Sequence, residues 1–227
     1  MVEAIYGRDN QRYGRSMKGK TIIGLTGPYC AGKNHIALIL EQRSLPVLDL
    51  DKLGHEVIEI QKKHLITRFG DDILGPEGFV NRKKLGEKVF GKPKELTAIE
   101  EIIHPEVNRK TLEWINAREE KACCINAALL HRSVAFDSLD AVILVKAPLF
   151  IRLLRAKKRD LLPWMSLIKR FWSQKEFKYQ LLAKKTDIYS VNNRTISGCF
   201  GVSKLCRRDK PEKRIDEILS LLGIVKV

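Results

Sequence analysis

Thr21-Ile22-Ile23-Gly24-Leu25-Thr26-Gly27-Pro28-Tyr29-Cys30-Ala31-Gly32-Lys33-Asn34 is the stretch on which the fold turns. Thr21 to Leu25 is a short β-branched run and predicts a buried strand. Gly27 to Lys33 fits G-x-x-x-x-G-K, with Asn34 where the pattern closes on Ser or Thr. From Asn34 to Gln42 the apolar residues Ile36, Leu38, Ile39 and Leu40 suit a short helix. Leu45-Pro46-Val47-Leu48-Asp49 then reads as a second strand. Strand, glycine turn, helix and strand in about 30 residues make a βαβ unit.

The spacing has a physical reason. Backbone amides of such a loop and of the helix's first turn converge on phosphate oxygens, and the helix dipole adds positive potential. The glycines permit positive φ and leave room for the anion. The motif therefore predicts nucleotide binding by Gly27, Pro28, Tyr29, Cys30, Ala31, Gly32 and Lys33, with Lys33 reaching the β- and γ-phosphates. His35 falls in the first helical turn and is expected to lend its backbone amide. The hydroxyl that Asn34 replaces ordinarily ligates Mg²⁺. An amide oxygen is a poorer hard ligand, acting directly or through a metal-bound water.

Outward from the loop, residues 52–120 read as amphipathic helix, broken at Gly70, Gly75-Pro76-Glu77-Gly78, Gly91-Lys92-Pro93 and His104-Pro105. Ala122 to Ala127 and Ala141 to Val145 are apolar runs, as strands buried on both faces should be. Pro148 to Lys185 returns to helix, Ile188 to Val191 is a last strand, and Pro211 to Leu222 a final amphipathic helix. Strands alternating with helices give an α/β fold around a parallel sheet. Residues 1–20 form a polar, basic N-terminal extension, with Met17 as an alternative start, and 21–227 a single domain.

The 227 residues are 44% hydrophobic and 30% charged, which excludes a disordered polyelectrolyte. No apolar run reaches the roughly 18 residues of a membrane span. The net charge of +15 calls for polyanionic company. Residues 146–185 hold twelve Lys/Arg against Asp160 and Glu176, two-thirds of that surplus. Trp164, Phe171, Trp172 and Phe177 interleave with those charges, a pattern that also suits nucleic-acid stacking, although small phosphorylated substrates are the favoured partners. Five cysteines without a C-x-x-C pair, and a start lacking signal-peptide features, point to a reducing cytoplasm.

Ile23-Gly24-Leu25-Thr26-Gly27, the loop, and Pro46 to Asp51 about eighteen residues after the lysine resemble the dephospho-coenzyme A kinase family. The resemblance continues through Arg68 to Leu74, Asn81 to Leu85, Val89-Phe90, His104-Pro105, Arg155 to Asp160, Arg170, Gln174 and Asp187 to Asn192, covering roughly residues 20–195. It implies a three-layer P-loop kinase with a five-stranded parallel sheet, a helical acceptor-binding region near 55–120 and a lid near 148–185. The implied reaction moves the γ-phosphoryl group of ATP, with Mg²⁺, to the ribose 3′-hydroxyl of dephospho-coenzyme A. Asp51 matches the family's base, Arg155 and Arg159 its lid arginines, and Asn192 its nucleotide-binding segment. Read alone, Asp51 is an N-cap for a helix beginning near Lys52, and Asp49 a supporting residue. His104 matches a motif near the acceptor; a histidine at a helix boundary is the alternative.

The third strand departs from the family's D-x-P-L-L-F-E. Asn126, Ala128 and Arg132 stand where the acid, the proline and the glutamate belong. With Asn34, these changes leave two readings besides the kinase: a catalytically silent nucleotide- or coenzyme A-binding relative, and a kinase of another small acceptor. Ser197 to Lys210 reads as an insertion.

Overall fold

The computed structural model describes residues 19–128, 130, 138–160, 171, 186–194 and 210–224. Outside them lie Met17 and most of the N-terminal extension, His131 and Arg132. The expected lid beyond Asp160 also lies outside, apart from Phe171, as does the 197–210 insertion up to residue 209.

In chain order the elements are β1 (Thr21–Thr26), α1 (Lys33–Glu41), β2 (Val47–Asp49), α2 (Leu50–Ile60), α3 (Lys62–Phe69), α4 (Arg82–Val89) and α5 (Pro93–Asn116). These are followed by β3 (Ala122–Asn126), β4 (Ala141–Lys146), α6 (Leu149–Asp160), β5 (Asp187–Asn192) and α7 (Pro211–Leu221). Two compact units result, one formed by 1–48 with 119–227 and one by 49–118.

The first unit is built on a five-stranded sheet of order β2-β3-β1-β4-β5. β1 runs parallel to β3, from Thr21 opposite Ala122 to Leu25 opposite Asn126, and parallel to β4, from Ile23 opposite Ala141 to Thr26 opposite Leu144. β4 runs parallel to β5 from Ala141 opposite Asp187 to Lys146 opposite Asn192. Ile23, Leu25, Cys124, Ile143, Val145 and Val191 share one core with Ile36 and Leu40 of α1 and Ile215 and Ile218 of α7. The alternate residues Ile22, Cys123, Ile125 and Val142 are buried as well. Strands apolar on both faces are what a covered parallel sheet requires. The chain leaves β1 at Gly27, where a Cβ would stand 2.6 Å from the Val145 carbonyl oxygen.

The second unit has its own smaller core of Leu65, Phe69, Ile73, Val80, Leu85 and Val89. Asn81 caps α4 by accepting from the Lys83 and Lys84 amides, and an antiparallel bridge from Leu74 to Val80 closes the Gly75–Gly78 turn. The expected break at His104-Pro105 is absent: α5 runs through Pro105 without interruption. Proline removes the bond to the carbonyl four residues back. Pro105 and Glu101 are both exposed, so water is at hand for that carbonyl.

Candidate active site

The loop is shaped by its own backbone first. Ala31 N donates to the Pro28 carbonyl at 2.9 Å, closing a turn in which Cys30 takes φ 57°. Gly32 follows at φ 91° as N-cap of α1, and no described side chain caps that helix. Left-handed φ is costly for a side-chain-bearing residue and ordinary for glycine. The Gly32 carbonyl accepts from His35 N at 3.1 Å and Ile36 N at 3.4 Å. The His35 amide, expected on phosphate, is thus bonded within the loop.

Side chains from α6 and from the end of β5 grip the outer side of the same loop. Arg155 Nη1 donates to the carbonyls of Cys30 at 3.1 Å and Ala31 at 2.9 Å. Its Nη2 donates to the Asn193 carbonyl at 3.0 Å and to Asn193 Oδ1 at 3.3 Å. Asn193, 1% exposed, donates through Nδ2 to the carbonyls of Ala31 at 3.2 Å and Gly32 at 3.3 Å. Its own amide is held by the Lys146 carbonyl at 2.7 Å. Asn192, the residue expected from sequence, is exposed at the end of β5. Alternation along the strand is the signal that could have found its neighbour: Asn193 falls on the side of buried Val191.

One turn along α6, Arg152 Nε donates to the Tyr29 carbonyl at 2.8 Å. Its guanidinium lies 4.7 Å from the Phe171 ring, which meets Tyr29 edge-on with centroids 5.3 Å apart. The Tyr29 hydroxyl donates to Asp160. Arg159 pairs with Asp160 at 2.7 Å and stacks 4.9 Å from the Tyr29 ring. Arg159 is therefore held by a neighbouring carboxylate and an aromatic face. Burial pushes the Cys30 thiol up, against the pull of Arg159, Arg152, Arg155 and Lys33. Burial likewise lowers the Arg152 guanidinium. Cys30 is accordingly a neutral thiol in a cationic setting.

Asn34 at the start of α1 accepts through Oδ1 from Asn126 Nδ2 at 3.4 Å, a long hydrogen bond. Asn126 Oδ1 is buried and finds no hydrogen-bond partner among the described residues, a condition it shares with Thr26 Oγ1. In the second unit, Asp49 caps α2, accepting from Asp51 N at 3.0 Å and Lys52 N at 3.2 Å. The capping role that sequence offered to Asp51 belongs to Asp49. Asp51 stands exposed in the first turn of α2, two residues past the end of β2.

A glycine loop closing on Lys33 between a central parallel strand and a helix is the architecture of phosphate-loop kinases. The family model described as dephospho-CoA kinase matches residues 21–196. This chain belongs to the dephospho-CoA kinase family. The dephospho-CoA kinase of Treponema pallidum is 30% identical over 90% of this chain and 96% of its own length. The crystal structure of a Thermus thermophilus protein superposes with a TM-score of 0.73 at 27% identity, covering 92% of this chain and 100% of that one. The dephospho-CoA kinase structure from Campylobacter jejuni shares the fold at a TM-score of 0.55 and 22% identity, over 89% of this chain and 97% of that one.

Proposed function

We propose that the chain transfers the γ-phosphoryl group of ATP to the ribose 3′-hydroxyl of dephospho-coenzyme A, giving coenzyme A and ADP. The observation that carries this reading is an ordered phosphate loop ending in Lys33 on a chain matched along residues 21–196 by the dephospho-CoA kinase model. Phosphoryl transfer asks chiefly for positioning and charge neutralisation. Lys33 and the amides at the start of α1 bind the β- and γ-phosphates, and Arg159 stabilises the transferred group once it leaves Asp160 and Tyr29. Asp51 accepts the proton of the attacking 3′-hydroxyl. Its backbone amide is held by the Asp49 cap, and its side chain is exposed in the first turn of α2.

Among the described residues no cluster of three His, Cys, Asp or Glu could hold a metal alone. Asn34 Oδ1 and the partnerless Asn126 Oδ1 are neutral, hard oxygens. They fit Mg²⁺ that arrives with phosphate and water ligands, as this ion usually does. Held there beside Asn34 and Asn126, Mg²⁺ would neutralise charge developing on the transferred phosphoryl group. Among the described residues no helix is long and apolar enough to cross a membrane, and the free thiols of Cys30, Cys123 and Cys124 accord with a reducing cytoplasm.

ADP release from Mg·ATP, with and without dephospho-coenzyme A, tests the reading. Acceptor-dependent turnover is expected, falling by about 10²–10⁴-fold in Asp51→Asn with ATP affinity retained. The amide pair at Asn34 and Asn126 favours a second reading, a silent binder, and ATP binding without turnover would select it. Absence of both would overturn the two together.

A further inference from the structure

We infer that Asn193 is a positioning residue for the triphosphate, acting through the carbonyl side of the phosphate loop. The inference deepens the proposed function and rests on the loop being an ATP site. All peptide bonds of the described loop are trans. In a planar trans peptide the N–H points opposite to the C=O. Asn193 Nδ2 holds the Ala31 carbonyl, which shares a peptide with the Gly32 amide, and the Gly32 carbonyl, which shares one with the Lys33 amide. By gripping the two oxygens, Asn193 fixes the Gly32 and Lys33 amides in the opposite direction, at the start of α1. These are two of the dipoles a phosphate-binding helix start presents to an anion.

Three further features bear on this role. Asn193 is buried, so its two donated bonds are not diluted by solvent. Its orientation is set from both ends, by its amide on the Lys146 carbonyl and by Arg155 on its carbonyl and Oδ1. It also lies against the Cα of Gly32, where an added Cβ would run into its amide nitrogen and stand 3.3 Å from Arg155 Nη1. The second glycine of the motif is thus required by the clamp as well as by its φ of 91°. Electrostatic preorganisation acts by holding dipoles in place before charge arrives, and a residue that never touches the nucleotide can supply it.

Calorimetry with ATP, inorganic tripolyphosphate and dephospho-coenzyme A tests this on wild type, Asn193→Ala and Asn193→Asp. The aspartate variant keeps the side-chain size and the acceptor for Arg155 but replaces the donor with an oxygen that repels the two carbonyls. Loss of two buried hydrogen bonds predicts an affinity for ATP and for tripolyphosphate weaker by about tenfold or more in both variants, with dephospho-coenzyme A affinity unchanged. Unchanged tripolyphosphate affinity would overturn the inference, including the case where only ATP weakens, which marks a contact with the base. Equal weakening for all three ligands with a lowered Tm would overturn it too, as a general loss of structure. Wild type that binds tripolyphosphate without acceptor-dependent turnover would break the kinase reading and leave the clamp standing. Wild type that binds neither phosphate ligand would overturn both.

Discussion

The phosphate loop and the helical unit 49–118 are ordered by opposite means. The loop is short and polar, and its carbonyls of Tyr29, Cys30, Ala31 and Gly32 all accept from Arg152, Arg155 or Asn193. The helical unit is ordered by the apolar cluster around Leu65 and Phe69, while its polar pairs, Lys88–Asp72 and Arg109–Glu106, lie at the surface. Charge divides in the same way. Residues 49–118 contain thirteen Lys/Arg and thirteen Asp/Glu, so the whole surplus of +15 belongs to the unit that carries the loop. A polyanion site needs fixed dipoles and a positive field; a helical unit held by burial needs neither.

If that division is right, core and loop substitutions should separate. Leu65 is fully buried at the centre of the helical unit's core. Leu65→Ala should cost about 2–5 kcal/mol in urea unfolding and leave the ATP affinity of the folded protein unchanged. An ATP affinity that fell with stability would show that the loop depends on the helical core. Gly32→Ala should do the reverse. Forcing alanine into φ 91° costs about 1–3 kcal/mol, and its Cβ meets the Asn193 amide. Tripolyphosphate binding should be lost while Tm falls less than in Leu65→Ala. Retained binding would mean that the clamp can move aside.

Much of this contrast was open to a reading of the sequence, for reasons local to the chain. Buried parallel strands must be apolar on both faces, so Thr21 to Thr26, Ala122 to Asn126 and Ala141 to Lys146 announce themselves. A loop that needs a Cβ-free residue under Val145 and another at φ 91° must show glycine at those two positions. What stayed hidden depends on solvent or on long-range contact. Pro105 reads as a helix end until its exposure is known. Asn193 and Arg155 meet the loop across more than 120 residues of chain; alternation past Val191 marks Asn193 as inward-facing, but not the carbonyls it meets. Asn126 reads as a lost carboxylate, whereas its pairing with Asn34 and its orphaned oxygen are visible only in three dimensions.

The smallest expected effect concerns pH, and it separates the two units at alkaline rather than acid values. A hydrogen bond from Lys88 holds the Asp72 carboxyl below its usual range, and Arg109 does the same for Glu106. In the sheet unit, a hydrogen bond from Arg43 depresses Asp216. A carboxyl with a depressed folded pKa stabilises above its unfolded value of about 4 and loses that contribution as pH falls through the folded pKa. Both units should therefore weaken slightly in acid, by little, because these pairs are exposed and solvent screens them. Burial instead raises Cys30 and, much further, Cys124, both in the sheet unit. A raised folded pKa gives stability that is whole below the ordinary thiol value of about 8.5 and is lost as pH rises above it. Segment-resolved hydrogen-exchange protection measured at pH 7 and again near pH 10 should fall in β1, β3 and α1 before it falls in α3 and α4. Cys30→Ser should remove only part of that fall, since Cys124 remains. Equal loss in both units would mean that the thiols do not set the alkaline limit and that the two regions unfold as one.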